Sequence, residues 1–219
     1  MHDDANLYLR FQWADGEHAP VPFVEGGKMD PKNSMKLAIM FATDDVEYAD
    51  RAGCWGTCHA DLNSMPFAPD GHNVTKYITE SRTDIELRGR NNKPLGGWDK
   101  RKSDDAIAAE HSAGHYMDII RYKAGEQLVE DGAILADREM GTDSGSEFVA
   151  VNQGGQWVVE VTRPLQAVSA DDINMATDQT YNFGFAIHDD YSSERYHHVS
   201  LGYKLGFDNA EAEVNAVKK

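Results

Sequence analysis

The 219-residue sequence predicts a mainly β fold, an antiparallel β-sandwich with few short helices, and two observations support this prediction. Short segments rich in aromatic and β-branched residues recur along the chain, separated by clusters of Gly, Asp and Asn. Strong helical periodicity is scarce. The length fits a single domain over residues 1–219, long enough to bury a substantial core.

The first 125 residues contain four candidate strands. NLYLRFQW (6–13) places apolar side chains on alternate positions, and KLAIMF (36–41) is a continuous apolar run typical of a buried strand. TDIELRG (83–89) alternates between polar and apolar residues. MDIIRYKAG (117–125) ends in residues that favour a turn.

The second half predicts two strand pairings. EFVAVNQGGQWVVEVTRPL (147–165) contains two strand-like runs around Asn152, Gly154 and Gly155, which is a hairpin pattern. TYNFGFAIHDD (180–190) and HHVSLGYKLGF (197–207) are expected to pair around an acidic turn.

Two segments have some helical character. Residues 103–115 begin with a possible Ser103 cap and carry acids in the first turn, and the C-terminal DNAEAEVNAVKK is expected to be a helix or a solvated tail. Turn and loop residues dominate a loop-rich insertion around 60–116. Insertions of this length are often functional, and covering a cofactor is one such use.

Charge restricts the class of partner. With 21 basic and 37 acidic residues the formal net charge is −16, which disfavours binding to nucleic acid or to an anionic membrane surface. No segment approaches the roughly 20 apolar residues of a membrane helix, and MHDDANLYLR lacks the layout of a signal peptide. We expect the natural protein to be exported, so such a signal would be absent from the sequence given.

The segment GCWGTCHADLNSMP (53–66) holds both cysteines, Cys54 and Cys58, with His59 directly after the second. Haem attachment uses C-x-x-C-H, and here one extra residue separates the thiols. Gly56 would allow the longer loop to bulge, and Trp55 could pack on the porphyrin. Spacing alone also fits a local disulfide, or half of a zinc site completed by distant histidines.

A haem iron that transfers electrons usually has a second axial ligand, commonly His or Met. Met65, Met117, His197 and His198 are the candidates, although a core role for either Met is the simpler interpretation of each alone. Alternation along a strand sends His197 and His198 to opposite faces, so at most one of them points inward.

Five segments carry a resemblance to a known family. They are LYLRFQWAD, AGCWGTCHADLNSMP, YMDIIRYKAG, QWVVEVTRPL and FAIHDDYSSERYHHVS, and they are spread over most of the chain. In this order they resemble the haem-binding subunits of ethylbenzene dehydrogenase and dimethylsulfide dehydrogenase, in particular the branch that looks like c-type cytochromes with a C-x3-C-H motif.

The resemblance implies a β-sandwich of two antiparallel sheets that holds haem at one end between loops. Where the haem b branch has a ligating Lys three residues before a Ser, this sequence has His197 before Ser200. Lys204 is a weaker match to that Lys. His59 takes the place of the Met ligand, so haem c is expected in place of haem b, bound through Cys54 and Cys58 with His197, then His198, then Met65 as distal ligand.

The function expected from this model is a single-electron carrier, exported to the periplasm, that docks on redox proteins through its acidic surface. Two alternatives stay open. One is a haem enzyme with a labile axial position, for which Arg195 would supply a hydrogen-bond donor. The other is a cofactor-free binding module that uses Trp13, Trp98 and Trp157, with a Cys54–Cys58 disulfide.

Overall fold

The computed structural model describes residues 1–16, 30–46, 49, 103–133, 140–189, 191 and 197–219. The elements of this part, in chain order, are β1 (Asn6–Ala14), β2 (Lys36–Ala42), α1 (Asp104–Ser112), β3 (Asp118–Lys123), β4 (Leu128–Ala133), β5 (Glu147–Asn152), β6 (Gln156–Pro164), β7 (Tyr181–His188), β8 (His197–Val199), β9 (Tyr203–Phe207) and β10 (Val214–Ala216).

The described strands form two sheets. The smaller sheet has the order β1-β6-β5, and the larger has the order β10-β9-β7-β2-β3-β4. Strand β8 also pairs with β7, beside Ala186 to His188, while β9 pairs with the other end of the same edge. All of these pairs are antiparallel except β9–β10. The predicted β-sandwich class is confirmed.

The main core lies between the inner faces of the two sheets. Strand β1 contributes Leu7, Leu9, Phe11 and Trp13, which alternate with more exposed residues, as its sequence predicted. Trp157 of β6 packs in the same core, and its indole N–H donates to Asp15 at 3.0 Å. Since Trp13 and Trp157 both pack against the core, they do not form a surface platform of the kind that the binding-module alternative requires. Trp98 lies outside the described residues.

A second apolar cluster covers the outer face of the larger sheet. Met40 and Ala42 of β2 join Val46, Met117 and Ala186 in it, and these five side chains are buried. Strand β2 is therefore buried on both faces, which explains why LAIMFA (37–42) is continuously apolar where an exposed strand would alternate. Met117 has the core role expected from its residue type.

One buried ion pair connects the two sheets. Arg163 of β6 and Asp118 of β3 lie 2.5 Å apart, with side-chain exposures of 2% and 0%. The same Arg163 nitrogen donates to the Ile173 carbonyl at 2.8 Å, and the guanidinium lies 5.0 Å from the centre of the Phe41 ring. Asp118 also accepts from the Ile173 backbone N–H at 3.0 Å. Arg163 thus holds the chain after β6 as well as the opposite sheet.

Helix α1 and the strand pairs of the second half agree with the sequence predictions. The 147–165 segment forms the β5–β6 hairpin, and β7 pairs with both β8 and β9. Segment 83–89 and most of the 60–116 insertion lie outside the described residues. Within the described part, no helix has the length and apolar character needed to cross a membrane.

The prediction for the C-terminus is wrong. Val214–Ala216 forms strand β10, paired in parallel with β9, and the Lys219 N–H donates to the carbonyl of His2. Ala216 is buried against the core, and the Asn215 side chain accepts a hydrogen bond from the Asn209 backbone N–H. Backbone pairing with β9 and contacts with His2 and Asn209 thus determine the structure of a segment whose composition is polar.

Replacing Arg163 by Met should destabilise the protein by about 3–5 kcal/mol, because Asp118 keeps its buried position and loses its partner. Urea unfolding followed by circular dichroism measures the change. Arg10→Met is the matched control on the neighbouring strand, since Arg10 and Glu160 are 55% and 64% exposed and 3.9 Å apart. Its expected cost is at most about 0.5 kcal/mol. Equal losses in the two variants would contradict the inter-sheet role of Arg163.

Candidate functional site

Two histidines lie side by side on the outer face of the larger sheet. His188 ends β7 and His197 begins β8, and the two residues are directly opposite in the strand register. Their rings are stacked, with centroids 4.5 Å apart and planes inclined by 10°. Both side chains are half-buried. Among the described residues, this pair is the grouping of imidazoles best placed to bind a metal or a metal-containing cofactor.

The surface next to the histidine pair is apolar and made partly of small residues. Ala186 and Val199 are register partners one step along the same face, and Ala38 lies across from Ala186 on β2. All three belong to the outer-face cluster or pack against it, together with Met40 and Ile119. Met40 and Ala186 are buried, but Ala38, Val199 and the two histidines are partly exposed, so a flat ligand could approach the sheet at this end. The donor groups and their surroundings therefore fit a porphyrin with an imidazole-ligated iron.

Burial favours the neutral form of His197. It lowers the pKa of His197 below the ordinary 6.5, and the neighbouring charge of His198 lowers it further. Neutral imidazole is the form that binds a metal ion through a ring nitrogen. His197 is consequently ready to act as a ligand at neutral pH without first losing a proton.

Strand β8 is held in place at its C-terminal end by Ser200. The Ser200 N–H donates to the Phe185 carbonyl at 2.8 Å, and the Phe185 N–H donates to the Ser200 hydroxyl oxygen at 2.9 Å. Ser200 is buried, so these two bonds are shielded from water. They fix the register of β8 on β7 and thereby the face to which His197 points.

His198 occupies a different environment from its neighbour. It is opposite Ile187, which packs against the inter-sheet core, and its own side chain is exposed at the sheet edge. The sequence predicted that His197 and His198 point to opposite faces, and the register confirms this. His198 is therefore a poorer candidate ligand than His197.

Basic side chains continue the row of the histidine pair across the sheet. Lys36 is opposite His188 on β2, and Lys123 is opposite Lys36 on β3. Both lysines are ion-paired, Lys36 with Asp30 at 3.1 Å and Lys123 with Glu130 at 2.7 Å. Burial lowers the pKa of Lys36, against the effect of Asp30.

Lys204, the weaker sequence match to a lysine ligand, is bound to Asp44 at 2.5 Å at the other end of β7. This ion pair argues against a ligand role for Lys204. The remaining predicted site residues lie outside the described part of the chain, namely Cys54, Trp55, Cys58, His59, Met65 and Arg195. Their roles stay predictions.

His188 is the site residue that the sequence interpretation missed. It lies in FAIHDD, a segment that the sequence predicted to be part of a strand and that also carries the family resemblance. Its place in the site was indicated only by its position at the end of the strand, two residues after Ala186 and therefore on the same face of the sheet. A single sequence does not reveal which strand residue lies opposite it, and that pairing is what gives His188 its place beside His197.

A separate group of carboxylates lies around the inter-sheet ion pair. Asp118, Asp131 and Asp172 are buried and each places a ligand atom within 4.8 Å of the others. Asp131 accepts from the Ser169 hydroxyl at 2.7 Å, and Asp172 accepts from the backbone N–H groups of Val168 and Ser169. Because the Arg163 guanidinium already binds Asp118, we interpret this group as a structural charge network.

Comparison with known proteins supports the predicted resemblance. A family model described as ethylbenzene dehydrogenase matches residues 128–200, the stretch from β4 to the end of β8 that includes both stacked histidines. The resemblance to the ethylbenzene dehydrogenase family is confirmed.

Two relatives extend the match beyond that stretch. Cytochrome c-552 of Stutzerimonas stutzeri is 35% identical over 223 residues, which cover 100% of this chain and 63% of the relative. Cytochrome c-551 of Rhodocyclus tenuis is 26% identical over 190 residues, 87% of this chain and 57% of the relative. The chain thus spans less than two thirds of the length of either relative.

The carboxylate network should make stability depend on pH. Burial, followed by the charges of Asp172, Asp118 and Asp171, raises the pKa of Asp131 from 3.8 to about 6. The folded state therefore binds this proton more tightly than the unfolded state, and stability falls as pH rises from about 4 to about 6.

Asp131→Asn should remove that fall and raise the free energy of unfolding at pH 7 by about 1–2 kcal/mol, measured by urea unfolding at several pH values. The exposed Asp45→Asn is the control for the loss of a carboxylate and should leave the free energy of unfolding at pH 7 nearly unchanged. An Asp131→Asn protein that is less stable than the parent at pH 7 would contradict this interpretation.

Proposed function

We propose that this chain is a monohaem c-type cytochrome domain that carries single electrons between redox partners. The observation that supports it most strongly is the position of His197, which is half-buried and stacked against His188 beside the apolar cluster on the outer face of the larger sheet. The similarity of the whole chain to a protein named cytochrome c-552 supports the same conclusion.

Cys54 and Cys58 would bind the porphyrin covalently through their thiols, and His59 would be the proximal ligand from the same loop. This assignment rests on the order Cys, Cys, His in the sequence and on the chemistry of haem attachment. Trp55, between the thiols, would pack on the porphyrin. The single domain over 1–219 would supply the β-sandwich, residues 53–66 would supply the attachment loop, and the insertion around 60–116 would cover the cofactor.

His197 would be the distal ligand, in preference to His198 and Met65. Its side chain lies on the outer face beside Ala186 and Val199, whereas His198 is exposed on the other side of its strand. When bound, haem supplies a reversible one-electron couple. With His59 and His197 filling both axial positions, substrates would be kept from the metal, so the chain would transfer electrons without making or breaking bonds.

The proposed partners are redox proteins with a basic docking face. One electron would enter from a reduced partner and leave to an oxidised one, through interfaces of the small, transient kind. The net charge of −16 would attract basic surfaces and speed encounter at low ionic strength. Because bacteria attach haem c outside the cytoplasm, we place the protein in the periplasm.

Intact mass under denaturing conditions tests the covalent attachment. The parent protein should retain the mass of one haem, and Cys54→Ala together with Cys58→Ala should lose it, because both thioether bonds are then absent. Ser64→Ala, in the same segment, is the matched control and should retain the adduct. A parent mass equal to the bare chain less two hydrogens would indicate a disulfide and would reject haem c.

Replacing His197 by Met should raise the reduction potential by on the order of 0.1 V, a small part of the roughly 0.8 V that axial ligands span. The reason is that a thioether ligand raises the potential of haem iron relative to imidazole. Spectroelectrochemical titration gives the value, and the exposed His198→Met is the control, for which no change is expected. Rapid carbon monoxide binding by the ferrous parent would favour an enzyme with an open axial position.

A further inference from the structure

His188 and His197 belong to strands that differ in how firmly they are hydrogen-bonded into the sheet. Strand β7 is hydrogen-bonded to β2 along one edge and to β8 and β9 along the other, so His188 belongs to an interior strand. Strand β8 has three residues. Although Ser200 fixes its register, the His197 ring depends on its neighbours for its orientation.

The ring of a histidine rotates broadly about the bond from Cβ to Cγ, because that torsion has no sharp staggered minima. An adjacent flat ring removes this freedom. Here the two rings are separated by 4.5 Å and their planes differ by 10°, so His188 restricts His197 to one plane. Groups that contact a metal ligand in this way orient it and tune the metal.

We propose that His188 is a positioning residue for the distal haem ligand, and that its stacked ring sets the plane of the His197 imidazole. This inference rests on the proposed function, in which His197 binds the iron. It assigns to His188 no bond to the iron. The interior strand β7 provides the rigid part, and the short strand β8 provides the ligand.

The plane of an axial imidazole has a direct spectroscopic consequence. In a low-spin ferric haem with two imidazole ligands, the angle between the ligand planes changes the spacing of the iron d orbitals and hence the g values in electron paramagnetic resonance. A ligand held in one plane gives one narrow set of g values, whereas a ligand free to rotate gives a shifted and broadened set.

The test uses the full-length haem-loaded protein and three variants at position 188. His188→Phe keeps a flat ring, His188→Leu keeps much of the volume without a flat ring, and His188→Ala removes both. We expect the Leu and Ala variants to shift and broaden the largest g value and to change the midpoint potential, while Phe restores a spectrum close to that of the parent.

His198→Ala is the matched control, since His198 adjoins His197 in sequence and faces away from it. It should leave the g values unchanged. Far-ultraviolet circular dichroism checks that each variant is folded, and the Leu and Phe variants keep the test informative should the Ala variant fail to fold.

Unchanged g values in both the Leu and Ala variants would overturn the positioning role. A high-spin spectrum in all three position-188 variants, with a low-spin spectrum in His197→Ala, would identify His188 as the iron ligand and also overturn it. Failure of the proposed function has a separate signature, because the parent would then lack a covalent haem or a low-spin ferric spectrum.

Discussion

The ion pair between Arg163 and Asp118 is the interaction on which the rest of the structure depends. It joins a charged side chain of the smaller sheet to one of the larger sheet, in an interior from which water is excluded. Removing two charges from water is expensive, so the pair contributes geometry more than net stability. The guanidinium bonds to Asp118 and to the Ile173 carbonyl at once, and thereby sets the position of the smaller sheet and the path of the chain after β6.

With the inner face of the larger sheet occupied in this way, the partly exposed end of its outer face, at His188 and His197, is available for other chemistry. The two faces differ in kind. The inner face carries large side chains such as Phe41 and Phe183, and the outer face carries Ala38, Ala186 and the stacked histidines. Because β2 and β7 serve both faces, a substitution in either strand changes the core or the site according to whether its position is odd or even.

Much of this architecture could be predicted from the sequence because it follows from alternation. Strand β1, the β5–β6 hairpin and the opposite directions of His197 and His198 required only a period of two. The C-terminal strand β10 could not be predicted in this way, since its short, polar sequence is ordered by contacts with β9 and with His2. Likewise, the sequence predicted that the segments of β7 and β8 pair, but the role of His188 depends on the register that places it opposite His197, which local patterns do not contain.

Because β8 and β9 share one edge of β7, the two strands are expected to differ in how easily they separate from the sheet. Strand β9 carries the buried Leu205 and Phe207 and pairs with β10, so it is expected to unfold only together with the core. Strand β8 is three residues long, joins through its own hydrogen bonds and places His197 at a half-buried position. Local opening of β8 could release the imidazole while the sandwich stays folded. In the proposed cytochrome, the lifetime of the bond between His197 and the iron and the lifetime of the fold would thus be set by different contacts, and each could change without the other.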